Sequence, residues 1–313
     1  TVNCQQDFRC AGYRQAAILH YTVAAAVILE VVMRWKTGRR SSHIEDRRGT
    51  RVGGGLFKGG IGTIVLALGL AYFLGIDPSI LVQLQQTGPP SSTGTDYQPT
   101  AKEQQQADFV SVVLADTEDT WSAIFEQAGR RYEEPSLVLF TGRVSSACGL
   151  ASAAMGPFYC PADKKVYIDL AFFDDLQSRH GASGDFAQAY VIAHEVGHHV
   201  QNLLGISTQV RKAQQGVGKA GANELSVQLE LQADCFAGLW GNHADRSRDI
   251  LEKGDIEEAL NAASAIGDDR LQKQAQGHVV PESFTHGSSA QRVHWFRQGI
   301  TTGDFADCDT FGS

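Results

Sequence analysis

Two histidines one helical turn apart with a glutamate after the first, His194-Glu195-Val196-Gly197-His198, constrain this chain more than any other five residues in it. The pair can act together only if the segment is helical, because side chains at i and i+4 then lie on one face. On that face both imidazoles reach a single metal ion, and Glu195 stands beside it to handle protons, which is the equipment of a zinc hydrolase. The flanks support a helix. Residues 185–193 lead in without Gly or Pro, and Asp185 reads as the N-cap. Phe186, Tyr190, His194 and His198 form one row bordered by Val191, Val200, Leu203 and Leu204, and Gly205 ends it. His199 is rotated about 100° from His198 and so points away from the metal. Tyr190 reads as a core residue.

A catalytic zinc site needs three protein ligands and an open position, so a third ligand must come from elsewhere. The best source is a second helical stretch, residues 223–238, in which Glu230 and Asp234 share a face one turn apart. Glu230 is the expected ligand. Asp234 is placed to accept the outward ring N–H of a ligating histidine and fix its tautomer. Ala233 and Ala237 keep that helix slim enough to approach the first. A solvated Glu/Asp pair is the competing reading, and Glu224 is a reserve ligand.

The motif and Glu230-Leu231-Gln232-Ala233-Asp234 together resemble the gluzincin class of metallopeptidases. Longer strings, Gly156-Pro157-Phe158-Tyr159-Cys160-Pro161-Ala162-Asp163, Ala193 to Gln201 and Phe284 to Arg292, resemble the bacterial putative neutral zinc metallopeptidase family from about Met33 to the C-terminus. The resemblance implies a zinc peptidase acting on a peptide or protein substrate. Zn2+ would be held by His194, His198 and Glu230, with Glu195 as general base. It also implies an oxyanion donor late in the chain, for which His286 is the choice; a loop or helix-capping residue is the equal alternative at that position. Arg292, on a helix that Ser288 or Ser289 would cap, is expected to pair with a carboxylate near the site. In the class resembled, an edge strand beside the zinc holds extended substrate, but which strand does so here is not readable.

Residues 137–140 and 165–170 read as short strands, and helices are expected at about 102–131, at 255–274 with a capping box from Asp255 and Glu258, and at 288–298. The expected fold class is α+β, mainly helical with a small sheet, which the resemblance implies is a zincin-like domain, preceded by a single transmembrane helix.

That last element rests on residues 59–76, uncharged and mostly apolar. Residues 34–58 just before them carry eight Arg or Lys against two acids, in a chain whose net charge is −8. The positive-inside rule then keeps the basic side in the cytoplasm and exports the rest. The expected layout is a basic cytoplasmic segment over 1–58, a transmembrane helix over 59–82, a linker over 83–101 and the metallopeptidase domain over 102–313. Residues 87–95 and the Gln run at 104–106 read as a flexible tether. The chain opens on Thr, and Met33-Arg34-Trp35 resembles the family's start, so 1–32 is read as an upstream translation artefact or an added segment. The expected location is the bacterial inner membrane, single-pass, with the domain on the extracytoplasmic side; partners are substrate and membrane, and nothing suggests nucleic acid.

Four cysteines fall in the presumed exported domain. Sequence proximity suggests Cys148 with Cys160, and elimination leaves Cys235 with Cys308. Two rival functions stay open: a membrane-anchored zinc-binding scaffold without catalysis, and a zinc hydrolase acting on something other than peptides.

Overall fold

A computed structural model describes residues 33–50 and 97–312. Its sheet has the order β1-β2-β6-β5: β1 (Ile44–Asp46) and β6 (Lys165–Asp169) flank β2 (Ser136–Phe140) in parallel, and β5 (Phe158–Cys160) adds antiparallel to β6 as an edge strand. Strand β2 is an unbroken apolar run because both of its faces are covered. Leu137 and Leu139 join Val166 and Ile168 in the main core under the helices, whereas Val138, Phe140 and Tyr167 face the other way. There the hairpin of β3 (Arg143–Ser146) and β4 (Gly149–Ser152) covers them with Val144 and Ala151.

Helix α1 (Ala101–Gln127) opens with a capping box, Thr100 and Glu103 each satisfying the other's backbone N–H. Its Gln104–Gln106 run lies in the first turns of this helix and is not part of a tether. Helix α2 (Ala171–Ser178) follows β6. Helix α3 (Asp185–Leu203) carries the His-Glu-x-x-His motif; α4 (Ile206–Gln214) and α5 (Lys219–Arg248) follow, and α5 packs against α3. The expected single helix over 255–274 is two, α6 (Asp255–Ala265) and α7 (Asp268–Gln276). They break where Gly267 meets the backbone of Ser289, whose N would lie 2.4 Å from any Cβ at that position. Helix α8 (Ser289–Thr302) has Ser288 as its N-cap in a capping box with Gln291.

Two expected caps are corrected. The N-cap of α3 is Gly184, and Asp185 is its first helical residue. Asp255 and Glu258 form no capping box in α6; Glu258 reaches across to accept the N–H of Phe186 on α3 at 3.1 Å. Both disulfides are present: Cys148–Cys160 ties the β3–β4 turn to the edge strand, and Cys235–Cys308 ties α5 to the C-terminal turn.

The transmembrane helix expected ahead of the domain is also corrected. Among the described residues no helix is long and apolar enough to cross a membrane, and residues 59–82 lie outside them. The described part of the basic stretch before them, residues 34–50, is built into the domain. Met33 and Trp35 are buried in the main core, and β1 pairs with β2. Arg34 pairs with Asp249 and Glu252, Arg39 with Glu118 and Asp119, and Arg40 with Asp108. The single-pass anchor therefore finds no support.

Candidate metal centre

Helices α3 and α5 meet closely because small residues line their crossing. A Cβ on Gly197 would stand 3.1 Å from the carbonyl oxygen and 3.3 Å from the Cβ of Ala233. This contact, inside the motif itself, brings Glu230 over the two histidines. The Nε2 atoms of His194 and His198 lie 3.2 and 3.4 Å from separate oxygens of Glu230. The three residues form a group whose ligand atoms share one small space. A tetrahedral ion with bonds of about 2.0–2.1 Å holds its ligand atoms roughly 3.3–3.4 Å apart. Donor set and spacing both fit zinc.

The outward nitrogens are held as well. Nδ1 of His194 faces Asp234 Oδ1 at 2.8 Å, and Nδ1 of His198 faces the side-chain oxygen Oε1 of Gln201 at 2.9 Å. Each ring thus donates its Nδ1–H outward and turns Nε2 inward, the tautomer a metal requires. Gln201 is fixed in turn, its amide donating to the carbonyl of Leu229 at 2.7 Å and to Gln232 at 3.1 Å.

Asp234 is fully buried and central to this support. It accepts from Arg292 Nε at 2.8 Å and Nη2 at 2.9 Å, and from the Tyr190 hydroxyl at 2.5 Å. Burial opposes its charge, but Arg292 and His194 outweigh that and hold its carboxyl down at about 2. Burial likewise works against charge on Glu230, yet His198 and His194 keep it well below the usual carboxylate range. For His194 burial favours the neutral ring, but Asp234 and Glu230 raise its pKa to about 9. A metal at Nε2 therefore competes with a proton, so acid weakens its binding. Glu195 is buried, and desolvation pushes its carboxyl up. A general base benefits from that direction, since it brings the basicity of a carboxylate toward neutral pH.

His194, Glu195, His198 and Glu230 line a cleft of about 590 Å³ whose walls include Met155 to Tyr159, Phe172, His286 and Arg292. Strand β5 forms part of that wall and is bolted to α3: the Tyr159 hydroxyl lies 3.0 Å from His199 Nδ1 and accepts from Asn202 at 3.0 Å. His199 points away from the metal group, with Nε2 on the carbonyl of Glu133 at 2.6 Å, and burial lowers its pKa to about 4. His286 sits at the cleft on a loop held by Asp268, whose Oδ2 accepts the backbone N–H groups of Thr285, His286 and Gly287. His286 Nδ1 lies 3.3 Å from the other oxygen of Asp268, which raises the ring's pKa.

The structure therefore gathers His194, Glu195, His198, Glu230, Arg292 and His286 around one cleft, with Asp234 buried behind His194, and leaves Glu224 exposed and outside the metal group. Sequence reasoning missed Asp268 and Gln201. Gly267-Asp268-Asp269 carried a helix-start signal that could have located the first; Gln201 had only its position one turn from His198. Tyr190 is a core residue, as its spacing indicates, and also a hydrogen-bond donor to Asp234.

Comparison with known proteins adds an independent line. The sequence profile of a family described as putative neutral zinc metallopeptidase matches residues 33–311. The chain is 52% identical over 289 residues to "Uncharacterized protein YpfJ" of Escherichia coli strain K12, covering 90% of this chain and 99% of that protein. It is 40% identical over 255 residues to "Uncharacterized protein Mb2605" of Mycobacterium bovis, covering 78% of this chain and 85% of that one. "Uncharacterized protein Rv2575" of Mycobacterium tuberculosis strain H37Rv matches to the same extent. No solved structure matches significantly. The family's profile begins at Met33, where the described residues begin, and extends through α3 and α5 to the C-terminal turn, so this chain belongs to the putative neutral zinc metallopeptidase family.

Proposed function

We propose that the chain is a zinc-dependent peptidase in which His194, His198 and Glu230 hold the metal and Glu195 acts as general base. The observation that carries this reading is the convergence of both Nε2 atoms on Glu230 at zinc-ligand spacing, with Glu195 on the same cleft. Zinc, when bound there, lowers the pKa of a coordinated water to about 7 and polarises the scissile carbonyl.

The chain's own residues do the rest. Glu195 takes the proton of the attacking water and returns it to the leaving amine, a role worth about 10²–10⁴ in rate. His286, held on its loop by Asp268, donates to the oxyanion that develops on the carbonyl. Asp234 and Arg292 act through His194: they fix its orientation and keep the charge beside it balanced. Substrate is a peptide or an extended protein segment. Strand β5 is the edge strand at the cleft and offers main-chain pairing to such a segment. Two disulfides further support work in an oxidising compartment.

The test is hydrolysis of a broad peptide library by the full chain, after zinc removal and after zinc return, beside Glu195→Gln and His286→Ala. Cleavage should require zinc and fall by about 10²–10⁴ in Glu195→Gln and about 10² in His286→Ala, with zinc still bound in both. Equal cleavage by wild type and Glu195→Gln would refute the mechanism. Retained zinc without cleavage of any peptide would favour the non-catalytic scaffold.

A further inference from the structure

The other end of α3 carries a second group of acids, about 13–20 Å from the histidines by helix rise. Asp185, in the first turn of α3, meets Asp255 and Glu258 from the first turn of α6, each offering one oxygen within 4.8 Å of the others. Asp255 is only 1% exposed. Backbone donors account for some of the oxygens: Met33 N binds Asp185 Oδ1 at 3.1 Å, Glu252 N binds Asp255 Oδ2 at 2.8 Å, and Phe186 N binds Glu258 Oε2 at 3.1 Å. Asp185 Oδ2 and Asp255 Oδ1 are buried with no hydrogen-bond partner among the described residues.

Orphaned carboxylate oxygens in a buried site are costly, and native structures rarely leave them so. The partial positive charge of the α3 and α6 N-termini is already engaged by the oxygens that do bond. Neighbouring charge supplies little more. Lys36 acts on Asp185, but Glu252 and Asp245 add negative potential at Asp255, and Glu252 is itself paired with Arg34. Burial and mutual repulsion push Asp255 up to about 6 and Glu258 up to about 7. The group is short of positive charge.

We propose that Asp185, Asp255 and Glu258 form a divalent-cation site of calcium type that clamps the first turn of α3 to α6 and to the chain at Met33. The donors are oxygens alone, which select a hard cation over zinc. Calcium holds oxygens at about 2.3–2.6 Å, so ligand oxygens up to roughly 5 Å apart fit around it, whereas magnesium at about 2.0–2.1 Å demands a tighter octahedron. The orphaned oxygens of Asp185 and Asp255 would then have a partner, and the helix that presents His194 and His198 would be anchored at its start.

The test uses the full chain, stripped of metals, reloaded with one equivalent of zinc and titrated with CaCl2 to about 10 mM at neutral pH. Bound calcium is read by equilibrium dialysis and stability by thermal unfolding. Wild type should bind one calcium and gain about 5 °C or more in Tm, saturably. Asp255→Asn and, separately, Glu258→Gln should lose that calcium and keep their zinc. Asp255→Asn, freed of repulsion, should be the more stable protein without calcium and the less stable one at saturating calcium. No calcium bound by wild type, equal binding by either variant, or a stability gain in Asp255→Asn that persists at saturating calcium would each overturn the site.

Discussion

The two ends of α3 treat buried carboxylates in opposite ways. Near its C-terminal half, Glu230 faces two imidazoles and Asp234 faces Arg292 and His194, so each of these two buried acids has a positive or donating partner in the protein. At the N-terminal end, Asp185, Asp255 and Glu258 face one another, and two of their oxygens have no partner among the described residues. The first cluster is held down into its ionised form by what surrounds it; the second is pushed up toward protonation. The lesson is that acid content alone says little. The nature of the counter-charge separates a zinc-type centre of nitrogen and oxygen donors from an oxygen-only site.

The largest effect expected is at the compensated end. Asp234→Ala removes the partner of a buried arginine and should cost about 3–5 kcal/mol of stability in denaturant unfolding, because Arg292 is left charged and unpaired. Zinc affinity, read by competition with a chelating dye, should fall about 10–100-fold as the His194 ring loses its orienting acceptor. Stability within about 0.5 kcal/mol of wild type would mean that the end is not held by its charge pairing.

Gly197→Ala probes the same end through packing rather than charge. The added methyl meets the backbone of Ala233 at 3.1–3.2 Å, so α3 and α5 must separate slightly. A loss of about 1–3 kcal/mol is expected, with weaker zinc binding because Glu230 moves with α5. Unchanged zinc affinity would show that the close helix contact does not set the ligand spacing.

The smallest effect is a pH signature at the uncompensated end. Asp255 and Glu258 have folded-state pKa values raised to about 6 and about 7, above their ordinary values. Their contribution to stability is therefore complete below the unfolded-state values near 4 and is lost as pH rises through 6 and 7. Asp185 and Asp245 add repulsion to this, Glu252 adds more though paired with Arg34, and Lys36 offsets part of it. In calcium-free, zinc-loaded protein the stability advantage of Asp255→Asn over wild type should grow by roughly 1 kcal/mol or more between pH 4 and 7. A constant difference across that range would contradict the uncompensated reading.

Much of the site was legible because its spacing is local. His194 and His198, and Glu230 and Asp234, each repeat at i,i+4, so the helix itself fixes their relation. The cap on α8 and the strands at 136–140 and 165–169 were equally readable from short patterns. What failed was long-range. The basic run at 34–58 looked like the flank of a membrane span, but Arg39 and Arg40 pair with acids on α1 and Arg34 with acids just after α5, 68 to 218 positions away. β1 is three residues, two of them acidic, and its pairing with β2 has no local signature. The break between α6 and α7 depends on Gly267 meeting Ser289, and Glu258 caps a helix 72 positions distant. Asp268 escaped notice for the same reason, since its three backbone partners come from the loop at 285–287.

The central claim is that His194, His198 and Glu230 make the compensated end of α3 a zinc centre. Zinc K-edge X-ray absorption on the full chain loaded with one equivalent of zinc tests it most directly. The account predicts a roughly four-coordinate shell of nitrogen and oxygen at about 2.0–2.1 Å, with two imidazoles and no sulfur. Glu230→Ala should lose most of its zinc or replace the carboxylate. A sulfur ligand, a six-oxygen shell, or an unchanged spectrum in Glu230→Ala with full zinc content would contradict it.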